Sequence, residues 1–170
     1  MNSSWALRTG PLALRPVAAT GLLELQALKA DPRVFAVMLG GVGAPHRAAE
    51  ELAEEIAFWG RHGISIWTVR RIEIGTFLGI TCCMDQPAGL GIALRFSFVD
   101  RAHGHGYASE AAAAALRFAR EHAGLSCVVG AARADSVASR QVLGSIGMRQ
   151  RGALYRAGVP MLVFESTAVG

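Results

Sequence analysis

The stretch Arg101-Ala-His-Gly-His-Gly-Tyr-Ala-Ser-Glu110 sets two alternate glycines between an apolar run, residues 92–99, and an alanine-rich segment. Gly104 and Gly106 let the backbone turn sharply and bring its N–H groups close to a ligand. A helix opening just after them adds unpaired N–H donors and the positive end of its dipole. Such a junction can cradle a phosphate or pyrophosphate. A strand-to-helix turn needs glycine for steric reasons about as often, so the pair by itself leaves ligand and plain turn both open.

Other chemistry-bearing side chains lie close by. His103 and His105 could meet a phosphate as imidazolium, but they read as loop surface. As a metal pair they would need further ligands that no Cys/His spacing in the chain supplies, so no metal is expected. Glu110 is conceivable as a base, yet one turn into a helix it caps or pairs structurally, and Tyr107 reads as core. Arg95 interrupts an apolar run and shares a strand face with Ser97; it is a snorkelling or salt-bridged side chain, or else a contact for an acidic group on a substrate.

The elements that must hold these residues follow from composition and periodicity. The chain has 170 residues, of which 52% are hydrophobic and 18% charged, enough for one domain over residues 1–170 with a filled core. No signal-type segment or membrane-length apolar run is seen, so a cytoplasmic location is expected, with no membrane partner. Cys82 and Cys83 point to opposite faces of one strand and Cys127 lies in another, all three read as buried thiols. The net charge is +4, and every basic residue except Lys29 is arginine. These arginines are scattered rather than striped among aromatics, which argues for an anionic small molecule over nucleic acid.

Residues 12–15 alternate as a first strand ended by Pro16, and leucines at 22, 25 and 28 mark a helix stopped at Asp31-Pro32. Residues 46–62 form the clearest amphipathic helix. Its apolar stripe is Ala49, Leu52, Ala53, Ile56, Trp59 and Gly60, with Glu50, Glu51, Glu54 and Glu55 on a solvated face that could instead attract a cation. Runs 64–70, 76–84 and 92–99, parted by turns at 73–75 and 85–89, give three antiparallel strands. A helix over 106–122 turns Ala108, Ala111, Ala112, Ala115, Phe118 and Ala119 inward. A strand at 126–132 then leads to a short helix capped by Asp135 or Ser136 and ended by Gly147, and runs 152–156 and 161–165 pair across a turn at 158–160. No Gly-Lys-Ser/Thr follows the glycines, and the glycine turn does not follow the first strand, so neither a Walker nor a Rossmann domain fits.

This order, with the spacing Arg101-x-x-Gly104-x-Gly106, resembles the GCN5-related N-acetyltransferases (GNAT), whose acetyl-CoA loop reads Gln/Arg-x-x-Gly-x-Gly/Ala. More narrowly, His103-Gly-His-Gly-Tyr-Ala-Ser-Glu-Ala111 is similar to the Trp-Gly-x-Gly-Tyr-Ala-Thr-Glu-Ala stretch of the ribosomal-protein alanine acetyltransferase (RimJ/RimL-like) branch. The block Ser136-Val-Ala-Ser139-Arg-Gln-Val-Leu-Gly-Ser-Ile-Gly147-Met148 looks like that branch's Asn-x-x-Ser-x-x-Val-Leu-Glu-Lys-Leu-Gly-Phe.

The resemblance implies an α+β (α/β sandwich) fold: a mixed, largely antiparallel central sheet with a splayed parallel strand pair, 92–99 beside 126–132, and helices on both faces. It implies acetyl-CoA as co-substrate, with main-chain bonds from Phe98 and Val99 to the pantetheine arm. The N–H groups of His103, Gly104, His105, Gly106, Tyr107 and Ala108 would hold the pyrophosphate, Ser136 would contact the cofactor, and Ser139 would lie near the thioester sulfur as the catalytic candidate. The acceptor would be a primary amine, on a small molecule or a protein N-terminus, attacking the thioester directly. A homodimer is compatible with it.

Three departures stand out. Ser136 replaces the family's asparagine, Leu143 stands where many members carry a tyrosine acid, and Ala93-Leu-Arg-Phe96 replaces the branch's Glu-Ile-Gly-Tyr, which removes a candidate base. The general base is therefore unassigned, and a catalytically silent acyl-CoA-binding module is the alternative.

Overall fold

In a computed structural model, which describes residues 3–32, 45–85 and 89–167, eight strands form one sheet in the order β1-β2-β3-β4-β5-β6-β8-β7. The strands are β1 (Leu7–Arg8), β2 (Leu12–Pro16), β3 (Ile66–Arg71), β4 (Phe77–Asp85), β5 (Ile92–Phe98), β6 (Cys127–Arg133), β7 (Arg149–Arg156) and β8 (Val159–Thr167). Among the described residues the α-helices are α1 (Leu22–Ala30), α2 (Pro45–His62), α3 (Tyr107–Glu121) and α4 (Val137–Ser145). Every neighbouring pair is antiparallel except β5 with β6. This is the mixed, largely antiparallel sheet that the resemblance implies.

Helices cover both faces. On one side, small alanines at 111, 112, 115 and 119 bring α3 flat against the sheet, and Phe118 meets the edge of Trp67 with ring centroids 5.4 Å apart. Aromatic area contributes most there. Trp59 stacks on Trp5 and donates its indole N–H to the Ile66 carbonyl at 2.9 Å, so the polar end of a fully buried ring is satisfied. The opposite face lies under α1 and α2, where burial, followed by the nearby charges, shifts the Cys82 thiol.

The glutamate face of α2 is a correction. Ala48, Leu52, Glu55, Phe58 and Trp59 are the buried positions, while Ala49, Ala53 and Gly60 are exposed. The helix is rotated because Lys29 of α1 meets both Glu51 (2.7 Å) and Glu55 (3.3 Å), supplying the counter-charge that lets Glu55 turn inward. Burial pushes the Glu55 carboxyl up, against the pull of the Lys29 ammonium. These two glutamates are therefore structural and not an open cation site.

Smaller differences have local causes. β7 begins at Arg149, three residues early, because its polar first residues lie on a sheet edge and pass a register shift between Gln150 and Gly152. Cys127 is exposed at the first position of β6, whereas Cys82 and Cys83 are buried. α4 begins after Ser136, whose side chain makes no capping bond; Arg140 instead closes that turn on the Ala134 carbonyl at 3.0 Å. The expected turn at 85–89 falls partly on residues 86–88, outside the described residues.

Candidate active site

β5 and β6 share a single ladder position, Ala93 opposite Val129. Beyond it the strands part. The Val99 N–H donates to the Leu78 carbonyl at 2.8 Å, which makes Gly79 and Phe98 a close, non-hydrogen-bonded antiparallel pair. By the two-residue period of a strand, Phe96 and Phe98 therefore aim their main-chain N–H and C=O groups away from β4 and into the opening. Buried backbone groups require partners, so this edge is built to receive something polar and extended.

A cleft of about 550 Å³ continues from that opening between α3 and α4. Its lining brings together Phe98, His103, Gly104, Gly106, Tyr107, Ala108, Ser136 and Ser139, from two motifs separated by a helix and a strand. A hydrogen bond of 3.2 Å between Ser145 and Ser109 ties α4 to the first turn of α3.

Two expected contributors stand off the lining. Val99 uses both main-chain groups internally, its N–H on Leu78 and its carbonyl accepting from Ala102 at 2.9 Å. His105 is exposed and stacks on Tyr107 at 5.2 Å.

The loop is held by its own side chains. Arg101 donates to the Phe77 carbonyl at 3.0 Å, so the arginine of the motif anchors the loop to β4. His103 places Nε2 3.0 Å from the Phe98 carbonyl, and its main-chain N–H goes to Asp100 at 3.1 Å. The histidine amide is thus committed. Gly104 (φ 82°) and Gly106 (φ 76°) take left-handed backbone conformations, and a Cβ on either would meet nothing within 4 Å. Conformation, not crowding, requires glycine there.

Within the first turn of α3, Glu110 is the first residue with a turn bond back, to the Gly106 carbonyl at 3.1 Å. The amides of Tyr107, Ala108 and Ser109 have no internal helical acceptor and face the cleft end of the dipole. An anionic diphosphate fits that donor set.

Phe96, Ser97, Ala102, Ser109, Ala138, Gln141, Val142 and Ser145 also line the cleft and were not anticipated. Phe96 was readable by strand period from Phe98, whereas Ala138, Gln141, Val142 and Ser145 depend on how α4 docks. Leu143, in place of a tyrosine, is 1% exposed and packs toward Gly130. Among the described residues the cleft lining holds no carboxylate.

Comparison with known proteins agrees with this geometry. Residues 12–149 match the acetyltransferase (GNAT) domain family. A comparison with curated protein sequences gives no match. Among solved structures, an acetyltransferase from Agrobacterium tumefaciens str. C58 is similar at TM-score 0.82 and 25% identity, covering 95% of this chain and 93% of that one. RimL, a ribosomal L7/L12 alpha-N-protein acetyltransferase in complex with coenzyme A, superimposes at TM-score 0.82 with 14% identity, over 95% and 97% of the two chains. A spermidine N-acetyltransferase from Vibrio cholerae, in complex with CoA and spermine, does so at 0.76 with 12% identity, over 94% and 96%. No helix among the described residues is long and apolar enough to cross a membrane. With the opened strand pair, the glycine cradle and a family match that spans most of the sequence, this chain belongs to the GNAT acetyltransferase family, which uses acetyl-CoA as acyl donor.

Proposed function

We propose that the protein moves an acetyl group from acetyl-CoA to a primary amine by direct attack, the amine being on a small molecule or at a protein N-terminus. The observation that carries this reading is the β5–β6 opening, with the main-chain groups of Phe96 and the N–H of Phe98 along it and the Phe98 carbonyl beside the His103 ring. The pantetheine arm would lie there, the pyrophosphate on the amides from Gly104 to Ala108, and Ser136 and Ser139 on the opposite wall.

Ser139 is half-buried in α4 and lines the cleft, which suits a hydroxyl that donates to the departing thiolate. Alignment of the two reactants supplies much of the rate, so the chain needs only to orient the thioester and shed one ammonium proton to solvent.

The test is thiol release from acetyl-CoA across a panel of amines and N-terminal peptides. Release that depends on the acceptor supports the proposal. Tight binding of acetyl-CoA with no transfer to any acceptor would replace it with a silent acyl-CoA-binding module, the reading that Leu143 in the acid's position also favours.

A further inference from the structure

On the α3–α4 side, β6 and β8 feed the central hydrophobic cluster through Val128, Ala132 and Phe164, and a Cβ on Gly130 would meet Leu143 of α4 there. The other side of these strands is apolar too, yet among the described residues none of it joins that cluster. Directly paired residues share a face. Val129 beside Glu165, Ala131 beside Val163, and Arg133 beside Met161 and then Leu154 therefore form three rows on the side away from α4. Val129, Ala131, Val163 and Leu154 are half-buried, so each still presents aliphatic surface.

The first row fixes where this surface lies. Val129 is the residue that pairs with Ala93, so the rows start at the closed end of the wedge, and Ala131 stands on its lip just past the last pairing. The borders differ in charge. Arg133 is neutralised by a two-point contact with Asp135, at 3.0 and 2.9 Å, whereas Glu165 at the closed end is half-buried and has no ion pair with any described residue. Aliphatic surface bordered by one uncompensated carboxylate is complementary to a cation with an apolar body. Three strands by three rows span about 10 Å by about 14 Å, far short of the roughly 800 Å² that each partner buries in a stable protein contact. A small molecule fits that area.

We propose that this surface receives the acceptor, and that the acceptor is a small amine with an aliphatic group beside its amino-bearing carbon, its ammonium drawn to the Glu165 end. This rests on the reading that acetyl-CoA fills the cleft on the α3–α4 side, which leaves the other side of the wedge to the amine. The aliphatic group would lie over Val129, Ala131 and Val163, where its burial favours binding and a polar group of the same shape would lose its water without gaining a partner.

Leucinamide and asparaginamide, nearly equal in shape and opposite in side-chain polarity, test the surface. Binding is followed by methyl NMR titration without acetyl-CoA, in the native protein, in Val163→Thr and in Glu165→Gln, with circular dichroism to confirm that each variant is folded. Leucinamide should bind roughly tenfold more tightly than asparaginamide and shift the methyl signals of Val129, Ala131 and Val163. Val163→Thr keeps the shape and strand preference of valine but adds a hydroxyl, so the ratio should fall threefold or more. In Glu165→Gln both amides should weaken about threefold together, with the ratio kept. Equal binding, tighter binding of asparaginamide, no binding of either, shifts confined to other methyl groups, or variants that bind like the native protein overturn the proposal. So do a dimer in sedimentation that occludes these methyl groups, which gives the surface to a second copy, and tenfold tighter binding of amidated Leu-Ala-Ala than of leucinamide, which gives it to a protein N-terminus. Transfer assays separate the two readings. Selective binding at these methyl groups with no acetyl transfer to any amine refutes the catalytic function and leaves the surface standing, whereas equal kcat/KM for the two amides refutes the surface with catalysis intact.

Discussion

Ala93 of β5 and Val129 of β6 face each other at the one ladder position these parallel strands share. Past that point each strand bonds only to its outer neighbour, β5 to β4 and β6 to β8. The inner edges carry no further ladder between the two strands, and the cleft begins where the pairing stops.

Substituting the cradle glycines separates conformation from contact. Valine at Gly104 or Gly106 must adopt a positive φ in a loop with open space around it. The strain is about 1–2 kcal/mol, too little to unfold the chain. Calorimetry should show acetyl-CoA affinity falling tenfold or more, with a melting temperature lowered by only a few degrees. Unchanged affinity would remove the amides from the binding site.

Ser139→Ala tests the hydroxyl on the far wall of the cleft. The rate of acetyl transfer should fall by about tenfold or more, while acetyl-CoA affinity changes little, because an interaction made mainly in the transition state lowers kcat. Equal loss in both quantities would make Ser139 a binding residue.

Gly79 lies where β4 approaches β5 most tightly: a Cβ there would come within 2.2 Å of the Ser97 carbonyl oxygen and 2.7 Å of the Phe98 Cα. Backbone cannot yield as a side-chain end can. Gly79→Ala should cost about 3 kcal/mol and displace β5, weakening acetyl-CoA binding by more than its effect on stability explains. Gly130→Ala is the control, since its Cβ would meet the Leu143 Cδ2 at 2.9 Å, a side-chain end that can shift. Thermal melts and calorimetry on the pair compare the two.

The thiols give a pH signature. Burial pushes the Cys82 thiol up to about 12, from 9.0 in solvent, and Cys83 is pushed up also. As pH climbs past 9.0 the unfolded chain loses these protons first, so the folded state binds more protons and stability falls as pH rises toward 12. Below that window the contribution is intact. Denaturant melts between pH 8 and about 11 should show a slope that flattens in Cys82→Ala, and a water-soluble disulfide reagent should label Cys127 alone in the folded protein.

Much of the fold was legible because its signals are local. Alternation at 12–15, the leucine beat at 22, 25 and 28, and the alanine face of α3 each report one surface of one element. The left-handed turns at Gly104 and Gly106 were legible for the same reason, since they answer to their own dihedral angles. The inward turn of Glu55 was not, because it depends on Lys29, 26 residues away in the chain. Nor were the commitments of the Val99 main chain and the His103 amide, which are fixed by Leu78, Ala102 and Asp100.

A crystal structure of the protein with acetyl-CoA tests the central claim most directly. The account predicts the diphosphate on the amides from Gly104 to Ala108 and the pantetheine bonded to the Phe96 and Phe98 main chain, with the acetyl carbon between β5 and Ser139. Acetyl-CoA bound elsewhere, with Leu94 through Phe98 laddered to β6, would contradict it.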